Sequence, residues 1–381
     1  SEVGMQASYC LTVLATVGLV AADISACDRI GADALQALRT NFSGAVVTRT
    51  DEAYNVVTRL NSKTFHRRPC IVLLCQRSSD VQVGLLFASQ VSLPISIRSG
   101  GHNYMGWSLL DGSVAIDLQA LDWIIVRRRS ADPVASHNVP GALPMLPPSA
   151  WEVDVGPGAK SDDVVRVLSL QHHLQTSTGG CPTVALGGFL LGGGHPIIAR
   201  STGAGVDNVI EMEVVLGNGT AVNVSADHLP DLYWGLRGGC GSAFGVVTNF
   251  RMRTYQECGG YGSCYGGHVV FAPKDAARVA AVFADYVPQA DPRLGLEFFV
   301  ESSAQSPSTG GGVAVTGVFN GPASEAISAL QPLLSIENST ILENTWAETT
   351  SYYDAWFRGI GGARDPYETQ RRELIKSVFF S

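Results

Sequence analysis

The sequence predicts an α+β fold. Strand-like runs and helical patterns alternate without the regular strand–helix–strand repetition of a doubly wound sheet. No GxGxxG opens a helix: Gly239-Cys240-Gly241 is followed by Ser242-Ala243-Phe244-Gly245, one residue too long for that dinucleotide fingerprint. With 381 residues and 45% apolar content, the chain can bury the cores of two domains.

The elements follow in order. Residues 9–22 are apolar or small and end in Val20-Ala21-Ala22, which reads as a secretory signal peptide over 1–22 that lacks the usual preceding basic residue. A buried N-terminal helix is the other reading. The run is too short to span a bilayer. Residues 23–66 form an N-terminal segment with two short helical patterns. A third helix is expected over 80–90, with Ser79 or Asp80 as its N-cap and Val81, Leu85 and Leu86 on one face. Residues 113–118 and 151–155 are strand-like, and Ser161-Asp162-Asp163 should cap a helix carrying Val164, Val165 and Leu168. Residues 209–216 and 221–224, joined by Gly217-Asn218-Gly219, predict a hairpin. The proline-rich stretch 133–148 reads as a surface insertion. Beyond residue 256 the pattern changes to a helix over 273–287 and strands over 294–300 and 312–319, the makings of an antiparallel sheet.

Charge and cysteine content narrow the function classes. A net charge of −8 with scattered lysines and arginines argues against nucleic-acid binding. No His/Cys cluster has zinc spacing, so no metal site is expected. Four Asn-X-Ser/Thr sequons, at Asn41, Asn218, Asn223 and Asn338, accord with secretion. So do the eight cysteines. Cys258 and Cys264 flank a short glycine-rich loop and suit one another, whereas Cys27 has two candidates, Cys70 and Cys75. Cys240 is left open as a free thiol.

Two glycine-rich elements carry the chemistry. Arg98-Ser99-Gly100-Gly101-His102-Asn103-Tyr104 and, about eighty residues on, Gly180-Cys181-Pro182-Thr183-Val184-Ala185-Leu186-Gly187-Gly188 each set a nucleophile in bare backbone. Without side chains, main-chain N–H groups can close on a phosphate or a flat ring. Flanking these are Arg68-Pro69-Cys70-Ile71-Val72, Leu191-Gly192-Gly193-Gly194, Asp207-Asn208, the segment from Asp231 to Gly239, and Phe244-Gly245-Val246-Val247-Thr248. In this order and spacing, from Arg68 to Tyr255, half of the chain resembles the berberine-bridge-type flavin oxidases of the vanillyl-alcohol-oxidase class.

The resemblance implies a PCMH-type FAD-binding domain of two α+β subdomains over 67–256, followed by a substrate domain over 257–381. It implies FAD held by Arg98, Ser99, Gly100, Gly101, His102, Asn103, Gly106, Cys181, Pro182, Thr183, Val184, Gly187, Gly188, Gly193 and Val247. In the family the residue matching His102 is bonded to the ring methyl carbon and the one matching Cys181 to a neighbouring ring carbon. A turn histidine and a buried or disulfide-bonded thiol are the plain readings of the same residues. Tyr104 matches a position that faces the flavin and helps take a substrate proton; otherwise it is a wall of the pocket. Val184 matches a position where a compact side chain goes with oxidase behaviour.

Phe189 departs from the family's frequent histidine, and His195-Pro196 from an aromatic residue and glycine. The chain starts at Ser1 and stops at Ser381 in an apolar run, beyond Glu373-Leu374-Ile375-Lys376-Ser377, which reads as a substrate domain cut short. The expected function is oxidation of an alcohol-type carbon, of a sugar or small alcohol, by hydride transfer to FAD, with dioxygen giving hydrogen peroxide. A flavin dehydrogenase with another acceptor and an inactive, truncated flavoprotein or binding protein are the alternatives.

Overall fold

The apolar run Ile71-Val72-Leu73-Leu74 has no polar residue with which to face water and becomes an inner strand of the first sheet. The computed structural model describes residues 24–129, 146–239, 244–301 and 310–360. Its first sheet contains β1 (Ala45–Thr48), β2 (Ile71–Leu74), β3 (Ile95–Arg98) and β4 (Val114–Asp117), in the order β1-β2-β4-β3. β2, β4 and β3 are mutually parallel and β1 is antiparallel to β2. The helix Ser78–Gln90 makes the crossover from β2 to β3 and buries Val81, Leu85 and Ala88 against the sheet.

The second sheet takes β5 (Ile124–Arg128), β6 (Pro148–Val155), β7 (Leu174–Gln175), β8 (Val209–Val215), β9 (Ala221–Ser225) and β10 (Val246–Gln256). It is antiparallel, in the order β5-β6-β10-β8-β9, with β7 also on β10. The expected hairpin is present: β8 pairs with β9 from Val215 opposite Ala221 to Glu211 opposite Ser225, and Gly219 has φ +81° at the turn.

The third sheet holds β11 (Cys264–Phe271), β12 (Leu294–Glu301), β13 (Gly312–Phe319), β14 (Ile341–Asn344) and β15 (Ala347–Thr349), antiparallel, in the order β12-β13-β11-β14, with β15 on β11. The helices Ala276–Tyr286 and Ala323–Leu334 cover one face through Val279, Ala326, Leu330 and Leu333. The other face meets the second unit. Ile197, Ile198, Val165, Val318, Tyr352 and Trp356 share one buried cluster, and a Cβ on Gly295 would overlap the Ile197 carbonyl oxygen. The class is therefore α+β, with antiparallel second and third sheets and a parallel core in the first.

Two expected helix caps are displaced. Arg77 and Lys160 precede the helices Ser78–Gln90 and Ser161–His172, and neither caps through its side chain. Asp80 is buried and must find donors. Its carboxylate accepts from Ser43 N (2.9 Å), Ser43 Oγ (2.6 Å) and Gln76 N (2.8 Å), tying the β1 entry to the helix. Ser161 Oγ instead donates to the Val184 carbonyl (3.2 Å).

Disulfides join Cys27 to Cys70 and Cys258 to Cys264. Cys75, the other candidate partner of Cys27, is a buried thiol, and burial pushes its ionisation up. All four sequon asparagines are exposed. The stretch 1–22, most of the 133–148 insertion, Cys240 and the segment around Glu373 lie outside the described residues.

Candidate flavin site

β3 delivers the first glycine-rich element. Arg98, at its end, is buried and donates from Nε to Asp117 Oδ2 (2.5 Å) and from Nη1 to the Arg59 carbonyl (3.0 Å). Ser99 Oγ donates to the Pro157 carbonyl. Asn103 Oδ1 accepts from Met105 N and Trp107 N, both at 3.0 Å, and Gly106 closes the turn at φ +72° against the Phe65 ring. The side chains of Arg98, Ser99 and Asn103 are thus spent on holding the loop. What it presents is backbone, the His102 imidazole and the half-exposed Tyr104.

The second element is pinned to the start of the helix Ser161–His172. Ser161 N donates to the Val184 carbonyl (2.9 Å) and Asp162 N to the Pro182 carbonyl (3.0 Å), while Val184 N closes a turn on the Cys181 carbonyl (3.2 Å). Leu186 N and Gly187 N continue onto the carbonyls of Ala159 and Pro157, both at 2.9 Å. Pro157 therefore anchors both elements. Their approach needs glycine: a Cβ on Gly100 would lie 2.8 Å from Ala185 N, and one on Gly187 would lie 2.9 Å from Ser99 Oγ and from Pro157 Cβ.

The two expected nucleophiles meet at Thr183. Its Oγ1 lies 3.2 Å from His102 Nε2 and 3.7 Å from Cys181 Sγ. Burial pushes the His102 imidazole down to about 4, opposed by a hydrogen bond with the Thr183 backbone and reinforced by the nearby Lys160 charge. At neutral pH the ring is uncharged and can act as a nucleophile.

Other expected site residues stand apart from this cluster. Val247 is 2% exposed inside the second sheet, opposite Val214, so its side chain is core. Gly188 and Gly193 face open space, since a Cβ on either would meet nothing within 4 Å, and Gly193 has φ +97°. Phe189 sets its ring against Gly179, Gly194 and Gly205, whose missing Cβ atoms make room for it. Glu297, mid-way along β12, was not singled out by sequence reasoning. A Cβ on Gly180 would lie 3.9 Å from Glu297 Oε2 and 3.5 Å from Ile360. The signal was a carboxylate inside the otherwise apolar run Leu296-Glu297-Phe298.

Residues 69–225 match the family model described as FAD binding domain. That stretch of the chain is similar to an FAD binding domain. Over 334 residues the chain is 27% identical to an uncharacterized FAD-linked oxidoreductase of Bacillus subtilis, a match covering 85% of this chain and 66% of that protein. Among solved structures, the 6-hydroxy-D-nicotine oxidase of Arthrobacter nicotinovorans superposes with TM-score 0.70 at 22% identity, covering 85% of this chain and 65% of that one. The glucooligosaccharide oxidase of Acremonium strictum, whose crystal structure revealed a novel flavinylation, gives TM-score 0.69 at 21% identity over 87% of this chain and 63% of that one. The fold is that of the PCMH-type, berberine-bridge-like flavin oxidases. The chain spans less than two thirds of the length of each of these three proteins.

The residues around the two glycine-rich elements suit FAD. Gly188 and Gly193 offer bare backbone to open space, and a neutral imidazole stands beside a thiol. Among the described residues no group of His, Cys, Asp and Glu could hold a metal, and no helix is long and apolar enough to cross a membrane.

Proposed function

We propose that this chain is an FAD-dependent oxidase that removes hydride from an alcohol-type carbon of a sugar or small alcohol, with the flavin tethered to His102 and Cys181. The observation that carries the reading is the Thr183 hydroxyl between His102 Nε2 and Cys181 Sγ, which gathers two elements about eighty residues apart into one cluster. The flavinylated glucooligosaccharide oxidase of the same fold supports it.

Bound FAD supplies a two-electron acceptor, which dioxygen reoxidises with two protons to hydrogen peroxide. The chain supplies the rest. The backbone from Ser99 to Gly101 and the open backbone at Gly188 and Gly193 receive the cofactor's phosphates and ring edge. His102, uncharged at neutral pH, would hold the flavin through a ring nitrogen and Cys181 through its sulfur after losing the thiol proton; each bond would replace a flavin C–H whose proton leaves, and would leave the flavin reduced by two electrons that dioxygen would take up as hydrogen peroxide. Tyr104, two residues beyond His102, would as its phenolate accept a hydrogen bond from the substrate hydroxyl and take its proton as hydride leaves the neighbouring carbon. Residues 67–256 bind the flavin and 257–381 cover the substrate. Two disulfides and four exposed sequons favour the secretory pathway as the site of action.

Acid precipitation of the purified protein tests the reading. Yellow colour should stay with the precipitate, weaken in His102→Ala and in Cys181→Ala, and vanish in the double variant. Peroxide should accompany alcohol oxidation; dye reduction without peroxide would make the enzyme a dehydrogenase. Flavin released entirely to the supernatant would end the covalent model.

A further inference from the structure

One side of the helix Ser161–His172 is gripped by the unit built on the third sheet. Asp162, Val165 and Ser169 stand at i, i+3 and i+7 and so share that side. Val165 is buried in one cluster with Tyr352, Ala355 and Trp356 of the helix Tyr352–Gly359. Polar bonds close both ends of the contact. Tyr353 Oη donates to Asp162 Oδ1 (3.0 Å). Two turns further along, Ser169 Oγ accepts from Tyr353 N (3.0 Å) and donates to Glu257 Oε2 (2.7 Å), which also accepts from Tyr352 N (3.1 Å).

The start of the same helix carries the Cys181 loop. Asp162 is therefore tied twice, its N–H donating to the Pro182 carbonyl (3.0 Å) while its carboxylate receives the Tyr353 hydroxyl. Burial raises the ionisation of Tyr353 and the bond to Asp162 raises it further, so the phenol keeps its proton and remains a donor. Its ring stacks on Phe357, with centroids 6.2 Å apart, and leans on Trp356, which fixes where the hydroxyl sits. From the far end of the helix, Ile360 reaches the loop itself: a Cβ on Gly180, next to Cys181, would lie 3.5 Å from Ile360 Cγ2. The His102 loop is held from elsewhere. The contacts of Arg98, Ser99 and Gly106, and the bond from Asn61 N to the Gly101 carbonyl (3.1 Å), all come from residues that precede β10.

We propose that Tyr353 is a positioning residue for Cys181: through Asp162 it registers the docked third-sheet unit onto the thiol loop, so that Cys181 is placed by both units and His102 by the flavin-binding unit alone. This rests on the proposed function, because it takes Cys181 as a point of attachment. A sulfur that is to bond a ring carbon must be held within about 3.5 Å of it, and a displacement of about 1 Å costs up to about a hundredfold in rate. The bond expels the thiol proton and a ring proton and leaves two electrons, which dioxygen takes up as hydrogen peroxide. The histidine link therefore forms whether or not the Tyr353 hydroxyl is present. The sulfur link depends on it.

The test adds FAD to the flavin-free protein and follows, by peptide mass, the flavin arriving on the His102 and Cys181 peptides. In Tyr353→Phe the Cys181 rate should fall about tenfold while the His102 rate stays within about twofold, a split that a general loosening of the fold does not give. Asp162→Ala should reproduce the split. Asp162→Asn, which keeps an acceptor for the hydroxyl, should stay near the unaltered rate, and the double variant Tyr353→Phe/Asp162→Ala should be no slower than either single one. Equal Cys181 rates in Tyr353→Phe and the unaltered protein overturn the proposal, as does an equal fall at both peptides. If the unaltered protein carries flavin on His102 and none on Cys181, the thiol tether of the proposed function fails, and the positioning is then read from the thiol itself. Alkylation of Cys181 by iodoacetamide in the flavin-free protein should quicken several-fold in Tyr353→Phe, and an unchanged rate overturns the proposal.

Discussion

Arg98 and Asp117 stand opposite one another at the ends of the parallel strands β3 and β4, and their buried ion pair lies directly below the loop that carries His102. Asp117 Oδ1 also accepts from Gln119 N at 2.9 Å, so the pair fixes the exits of both strands. Asp117→Asn leaves the guanidinium buried beside a neutral group. It should cost about 3–5 kcal/mol in denaturant unfolding. Replacing both residues by apolar ones of similar volume should cost much less.

The His102 imidazole gives the stability of the flavin-free chain a pH dependence. Its ionisation lies at about 4 in the fold against 6.5 for the free side chain, so between those values the unfolded chain binds the extra proton. Stability should be full above pH 6.5 and decline as pH falls toward 4, by at most about 3 kcal/mol from this residue. His102→Gln should flatten that stretch of the curve. An unaltered slope in the variant would mean that the imidazole is not buried uncharged.

Two glycine substitutions should part company. Gly100→Ala drives a methyl group toward Ala185 N, which belongs to the backbone and cannot step aside. It should lower both the melting temperature and the flavin content. Gly188→Ala meets nothing within 4 Å and lies in the helix Leu186–Leu191, where alanine is favoured by up to about 1 kcal/mol. That variant should melt no lower than the parent. If Gly188 faces the cofactor, flavin content should nevertheless drop.

Thr183 offers a different separation. Thr183→Ser keeps the hydroxyl between His102 and Cys181, and Thr183→Val removes it at nearly constant shape. Acid-stable flavin should persist in the serine variant and accumulate about tenfold more slowly in the valine variant, followed by absorbance of the precipitate over time after adding FAD. Equal rates would show that the hydroxyl has no part in orienting the two nucleophiles.

The Cys27–Cys70 disulfide ties the N-terminal segment to the residue entering β2 across 43 positions. Replacing Cys27 with serine should destabilise the chain by about 2–4 kcal/mol in chemical denaturation. Cys75 should remain unreactive toward alkylating agents in the native protein, because it is fully buried.

Periodicity was enough to locate the helices Ser78–Gln90, Ser161–His172 and Ala276–Tyr286, the β8–β9 hairpin and the strands β12 and β13, since spacing alone decides which side of an element is apolar, but it left Ala323–Leu334 and Tyr352–Gly359 unread. It did not reveal the parallel core of the first sheet. Strands of four residues, buried on both faces, carry no alternation to read. Caps misled for a related reason: Asp80 and Ser161 have the residue types of an N-cap, but burial turned their side chains to Ser43 and to the Val184 carbonyl.

By itself the sequence determined the α+β class, both glycine-rich elements and the residue types that suit a flavin, all of which are local properties of a few neighbouring residues. Only the tertiary structure decided that Pro157 anchors both elements, that Thr183 stands between His102 and Cys181, and that Tyr353 reaches Asp162 at the start of the helix Ser161–His172. Proximity between residues far apart in the chain depends on strand register and on where a missing Cβ lets two backbones touch. No run of neighbouring residues encodes either one.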